Sequence, residues 1–105
     1  MTHYKGVTAS KGHHHDGKWQ AQIRVGGGVL TWGPRFDNPE DAAKVYDIMA
    51  IYLKGPDAKL NFDGRPPAYI LLADVRKFLW DKGVLDPARQ PWLDEPQQFF
   101  KSPLL

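Results

Sequence analysis

Lys18, Gln20, Gln22 and Arg24 occupy every second position of one eight-residue stretch, with Trp19, Ala21 and Ile23 between them. A period of two puts the first set on one face of a strand and the second on the other, so the polar set is the wet face and Trp19 belongs with the core. An amine, two amides and a guanidinium in a row offer hydrogen-bond donors and positive charge to a polar or anionic surface. The same alternation is also what any half-buried strand shows when nothing binds it. His13-His14-His15 is the other cluster with chemical potential. Adjacent residues in a Gly-flanked loop do not converge on one ion and the usual zinc spacings are absent, so no metal is expected, only a loop tip open to pH-dependent phosphate contacts.

The elements that hold this strand are short. Tyr4 to Ala9 reads as a first strand, Ser10 to Gly17 as a loop, Lys18 to Val25 as the second strand, Gly26-Gly27-Gly28 as a hairpin turn and Val29 to Trp32 as the return. They imply an antiparallel sheet with one open face and an apolar face that needs cover. Asn38-Pro39-Glu40-Asp41 supplies a cap, a first-turn Pro and acids, and Lys54-Gly55-Pro56 ends the helix so begun. Ala42, Ala43, Tyr46, Met49, Ala50 and Leu53 form its main apolar face. Val45, Ile48 and Tyr52 widen that arc to about 220°, more than one sheet can cover. A second helix, opened by Pro66-Pro67 and closed by Gly83, with Tyr69, Leu71, Leu72, Val75, Phe78 and Leu79 as its apolar residues, is expected on the free flank.

The chain has 105 residues, no cysteine, 42% apolar and 25% charged residues. That is enough for one small core and excludes disulfides, thiolate zinc and a thiol nucleophile. No apolar run reaches the roughly 18–20 residues that span a bilayer. The first twelve residues have neither a secretory apolar core nor a transit-peptide pattern, so no address is expected there. Gly26-Gly27-Gly28 lacks a following helix and is no phosphate fingerprint. No Ser/His/Asp order, carboxylate pair or nucleophile elbow stands in a context that would support catalysis, so neither an enzyme nor a cofactor is expected. Net charge is +2, unevenly spread. Residues 1–36 carry five basic residues (Lys5, Lys11, Lys18, Arg24, Arg35) against Asp16, residues 37–62 three against five, and residues 63–105 six against six.

In order and spacing, Tyr4-Lys5-Gly6-Val7, Gly17-Lys18-Trp19-Gln20-Ala21-Gln22-Ile23, a third strand ending near Phe36, Glu40-Asp41-Ala42-Ala43-Lys44-Val45-Tyr46-Asp47 and Leu60-Asn61-Phe62 resemble the ethylene-response-factor, or APETALA-type (AP2/ERF), DNA-binding domain. The resemblance covers residues 4 to 62. It implies an α+β fold, a three-stranded antiparallel sheet packed on one helix, whose open face reads a GC-rich site in double-stranded DNA. Lys5, Lys18, Gln22, Arg24 and Trp32 are the matching positions, and Lys11 and Arg35 bring the number of phosphate contacts to about three to five. Trp32 can either stack on the nucleic acid or cover the sheet edge. The chain departs from the family's pattern at Thr8, Ser10 and Leu30, where arginines are usual, at Gln22, where Glu is usual, and in the longer turn Trp32–Phe36.

The residues support two readings. In the first, residues 1–62 form a sequence-selective DNA-binding domain of a nuclear transcription regulator, and 63–105 add a helix and an extended Pro-rich tail packed on it or on a partner. In the alternative the chain is a non-catalytic accessory subunit of a larger assembly, in another organelle, that keeps the fold but not DNA reading. There Trp92, Phe99 and Phe100 bind protein subunits.

Overall fold

The alternating stretch is the middle strand of the sheet. In a computed structural model, which describes residues 4–10, 18–62 and 67–94, the order is β1 (Val7–Ser10), β2 (Lys18–Val25), β3 (Gly28–Thr31), antiparallel throughout. Ala21 and Ile23 are buried, and Lys18, Gln20, Gln22 and Arg24 lie on the other face, as the alternation requires. Val7 pairs with Ala21 and Gln22 with Thr31, which fixes both registers. The hairpin turn is Gly26-Gly27, since Gly28 already pairs with Val25. The ladder does not stop at Thr31: Trp32 donates to the Ala21 carbonyl at 2.8 Å, residues 33–35 loop out, and Phe36 returns to pair with Trp19.

The first strand starts later than the sequence suggests. Tyr4 to Gly6 is an entry segment, because Gly6 turns at φ 71° and Lys5 is bound elsewhere. Its partner is Asn61, whose Oδ1 accepts the Lys5 N–H at 2.7 Å while Nδ2 donates to the Lys5 carbonyl at 2.9 Å. Asn61 is held in turn by Asp47, a fully buried side chain of the first helix. Asp47 accepts the N–H of Asn61 at 2.8 Å and that of Phe62 at 2.7 Å, and Asn61 Nδ2 at 3.2 Å. Tyr4 packs on Phe62 beside this crossing, ring centroids 5.3 Å apart.

Helix α1 (Pro39–Lys54) begins with Pro39 at its first turn and Glu40 and Asp41 near its positive end, and ends at Gly55, φ 55°. Asn38 is the N-cap by position, but its side chain makes no capping bond. Proline geometry and the two acids start the helix without it. Ala42, Ala43, Val45, Ile48, Met49, Ala50, Ile51 and Tyr52 are all buried, and α1 packs on β2 and on a second helix. That helix, α2, spans Leu72–Asp81, five residues later than Pro67 would start it. Residues 67–71 take a non-helical path because the Tyr69 hydroxyl donates to Asp41 at 2.9 Å and its ring faces Phe36. Loss of water around the Tyr69 phenol, then this bond and the charges of Asp41 and Asp37, push its pKa up to about 12, so it stays a donor at ordinary pH. Tyr69 and Leu71 are therefore exposed rather than part of the apolar face, in which Val75 and Leu79 are buried and Leu72 and Phe78 pack against the core half-buried.

Residues 67–94 share the core of the first sixty residues. Val75, Leu79, Leu85 and Leu93 join the cluster that contains Ile23, Phe36 and Ile48. At order of magnitude, each fully buried aliphatic side chain contributes about 1.5–3 kcal/mol. No helix among the described residues is long and apolar enough to cross a membrane.

Two outcomes test this account. A Cβ on Gly6 would overlap the Tyr46 ring at a positive φ, whereas one on Gly27 meets nothing within 4 Å. Urea unfolding should show Gly6→Ala losing about 2 kcal/mol or more and Gly27→Ala changing by less than about 0.5 kcal/mol. Asp47→Ala strands two backbone donors and should cost about 3 kcal/mol in the same measurement, with Asp47→Asn, which keeps one acceptor oxygen, in between.

Candidate nucleic-acid interface

Residues directly opposite one another in an antiparallel pair share a face. The register therefore adds Thr8 beside Gln20, Thr31 beside Gln22 and Val29 beside Arg24 to the open side of β2. Alternation in β2 alone does not place these three, because it says nothing of register across the loop before β2, for Thr8, or across the hairpin turn after it, for Val29 and Thr31. Val29 is half exposed, an apolar patch among polar groups.

Each polar group has a distinct setting. Arg24 is exposed at the hairpin end. Lys18, at the opposite end, is ion-paired with Asp37, their side chains 42% and 78% exposed. Water screens such a pair, so it holds weakly. Gln20 Nε2 donates to the carbonyls of Gly33 at 3.1 Å and Trp32 at 3.4 Å and so ties down the looped-out residues. Gln22 reaches Thr31 Oγ1 at 3.5 Å, a contact too long to hold the amide against a better partner. Lys5 is exposed where β1 begins, its backbone fixed by Asn61, and Arg35 is exposed in the loop that Gln20 anchors.

The structure thus unites Lys18, Gln22 and Arg24 on one face, with Lys5 and Arg35 at its margins. Trp32 is not there. Only 7% exposed, it meets Phe78 of α2 edge-to-face, centroids 5.1 Å apart, so of the two roles open to it, it covers the core and cannot stack on a ligand. Trp92 lies against its own chain: its ring lies over Gly55, where a Cβ has no room, and its Nε1 donates to the Tyr52 carbonyl at 2.8 Å. Lys11, His13-His14-His15, Phe99 and Phe100 fall outside the described residues. Among the described residues no three His, Asp or Glu side chains converge as a metal site would need.

No protein-family model matches the chain. It is similar to the AP2-like ethylene-responsive transcription factor ANT of Arabidopsis thaliana, 44% identical over 61 residues, or 57% of this chain and 10% of that relative. The AP2-like ethylene-responsive transcription factor CRL5 of Oryza sativa subsp. japonica is also 44% identical over 61 residues, 57% of this chain and 9% of its own length. The ethylene-responsive transcription factor WRI1 of Arabidopsis thaliana is 39% identical over 64 residues, 60% of this chain and 14% of its own length. The chain spans about a tenth of the length of the curated relatives it matches. A shared stretch of about 60 residues at this identity, on a three-stranded antiparallel sheet backed by a helix, supports an AP2/ERF domain in this chain.

Proposed function

We propose that this chain binds double-stranded DNA through the open face of β1–β3, with sequence preference, as the DNA-binding part of a nuclear transcription regulator. The observation that carries the reading is that an AP2/ERF sheet presents Lys18, Gln22 and Arg24 together to solvent. Dimensions agree. Three strands span about 10 Å from first to third, and the major groove is about 12 Å wide. Arg24 supplies the fork that pairs with guanine O6 and N7, the contact behind a GC-rich preference. The Gln22 amide, weakly engaged by Thr31, suits adenine N6 and N7. Lys5 and Arg35 contact phosphates at the margins, as does Lys18 once it leaves Asp37. The accessory-subunit reading has less support, since Trp92 is committed to α1 of its own chain.

Fluorescence anisotropy against a panel of duplexes tests this. Arg24→Ala should weaken the best duplex by about 1–3 kcal/mol and flatten the preference at one base pair. Asp37→Asn should tighten all duplexes alike by a few-fold, because it releases the Lys18 ammonium, and the gain should shrink with salt. No binding at micromolar protein and low salt would falsify the reading.

A further inference from the structure

At the hairpin end of the sheet, Arg24, Val25 and Gly26 face the last turn of α1 (Leu53, Lys54) and residues of the 83–90 segment across a groove of about 600 Å³. Three basic residues, Arg24, Lys54 and Arg89, border it with one acidic residue, Asp86, and all four are exposed. Asp86 is partly occupied, since its Oδ1 accepts the Ala88 N–H at 3.0 Å.

The groove is held in shape by Gln90, a 9% exposed side chain at its floor. Its Nε2 donates to the carbonyls of Leu53 at 3.2 Å and Val84 at 3.4 Å, and its Oε1 accepts the Asp86 N–H at 2.7 Å. This amide fastens the 84–90 segment to the end of α1 and brings Arg89 to the same groove as Lys54. It also changes the electrostatics. The carbonyls at a helix C-terminus normally repel an anion. Here the Ile51 carbonyl accepts from Gly55, that of Tyr52 from Trp92 and that of Leu53 from Gln90, so all three are turned to internal partners.

None of the residues lining the groove is aromatic, so it has no platform on which to stack a base. Cations over aliphatic walls (Val25, Leu53, Val84) suit a sugar–phosphate instead. Arg24 belongs to both the open face and the groove, so a strand tracked past the hairpin end runs into Lys54 and Arg89. We propose that the groove takes a backbone phosphate of the bound duplex, just beyond the base pairs that the sheet reads, so that the segment after α2 lengthens the DNA footprint. The proposal rests on the DNA-binding reading above.

The test is the salt dependence of duplex affinity for the full chain, on DNA long enough to pass the hairpin end. Lys54→Ala and Arg89→Ala should each lower the steepness of log affinity against log salt by about 0.9, so that the wild-type advantage shrinks about 3-fold when salt rises about fourfold. The ranking of duplex sequences should stay the same, and Arg89→Lys should keep the wild-type slope. Lys77→Ala removes one charge from a residue paired with Asp81 that does not line the groove, and should leave the slope unchanged. Wild-type binding with unchanged slopes in both groove variants overturns the proposal while leaving the DNA reading intact, and so does an equal loss of slope in Lys77→Ala. No wild-type binding overturns both.

Discussion

A single buried carboxylate fixes how the ends of this fold meet. Asp47 has no exposure on a helix whose other buried residues, Tyr52 apart, carry no polar hydrogen-bonding side-chain group. A charge in that position is tolerable only if hydrogen bonds replace its water, and the N–H groups of Asn61 and Phe62 do so. The consequences run outward. Asn61, oriented by Asp47, takes both the N–H and the carbonyl of Lys5, so the entry to β1 is fixed to the stretch after α1. From there Gly6 must turn beneath Tyr46, and its carbonyl accepts from Gln22, which continues the register of β1 on β2. The position of Thr8 and Lys5 relative to Arg24 thus depends on a helix residue that acts through Asn61 and Phe62.

A second constraint acts on the opposite flank of α1. Its apolar surface goes well beyond what the sheet covers, and α2 with residues 84–93 takes up the remainder. Trp32 links the two halves, leaving β3 to meet Phe78. Because α1 occupies the inner face of the sheet and α2 packs beside α1, the outer face of β2 is, among the described residues, the side that neither helix covers. Residues 67–94 therefore have a structural role beside the sheet before they have any role in binding.

Most of the framework was readable because it depends on local physics. Period-two alternation gave β2 residue for residue, and Pro39 with Gly55 marked the ends of α1. The excess width of its apolar arc required α2. The features that escaped depend on partners far along the chain. Asp47 looks like one more acid on a helix until Asn61 and Phe62 arrive, and Trp32 is ambiguous until Phe78, 46 residues later, packs on it. The start of α2 was not legible because Tyr69 keeps the prolines' successors on Asp41 instead of letting them coil. Of the candidate site, Lys18, Gln22 and Arg24 share a face because the strand requires it. Thr8, Val29 and Thr31 join them only through register.

The open face itself has more neutral hydrogen-bonding groups than charge. Lys18 is offset by Asp37, Gln20 is occupied with the 33–35 loop, and Gln22, Thr8 and Thr31 are uncharged. Neutral groups discriminate between bases but contribute little to the counterion release that dominates affinity for DNA. A face of this kind needs charge supplied from outside the sheet. In this chain that charge lies at the margins, in Lys5 and Arg35, and beyond the hairpin end, where Gln90 holds Arg89 in the groove that Lys54 also lines. In the proposed DNA complex, selectivity and affinity would in this way fall to different parts of the fold, bases to the sheet and phosphates to the loops and the end of α1.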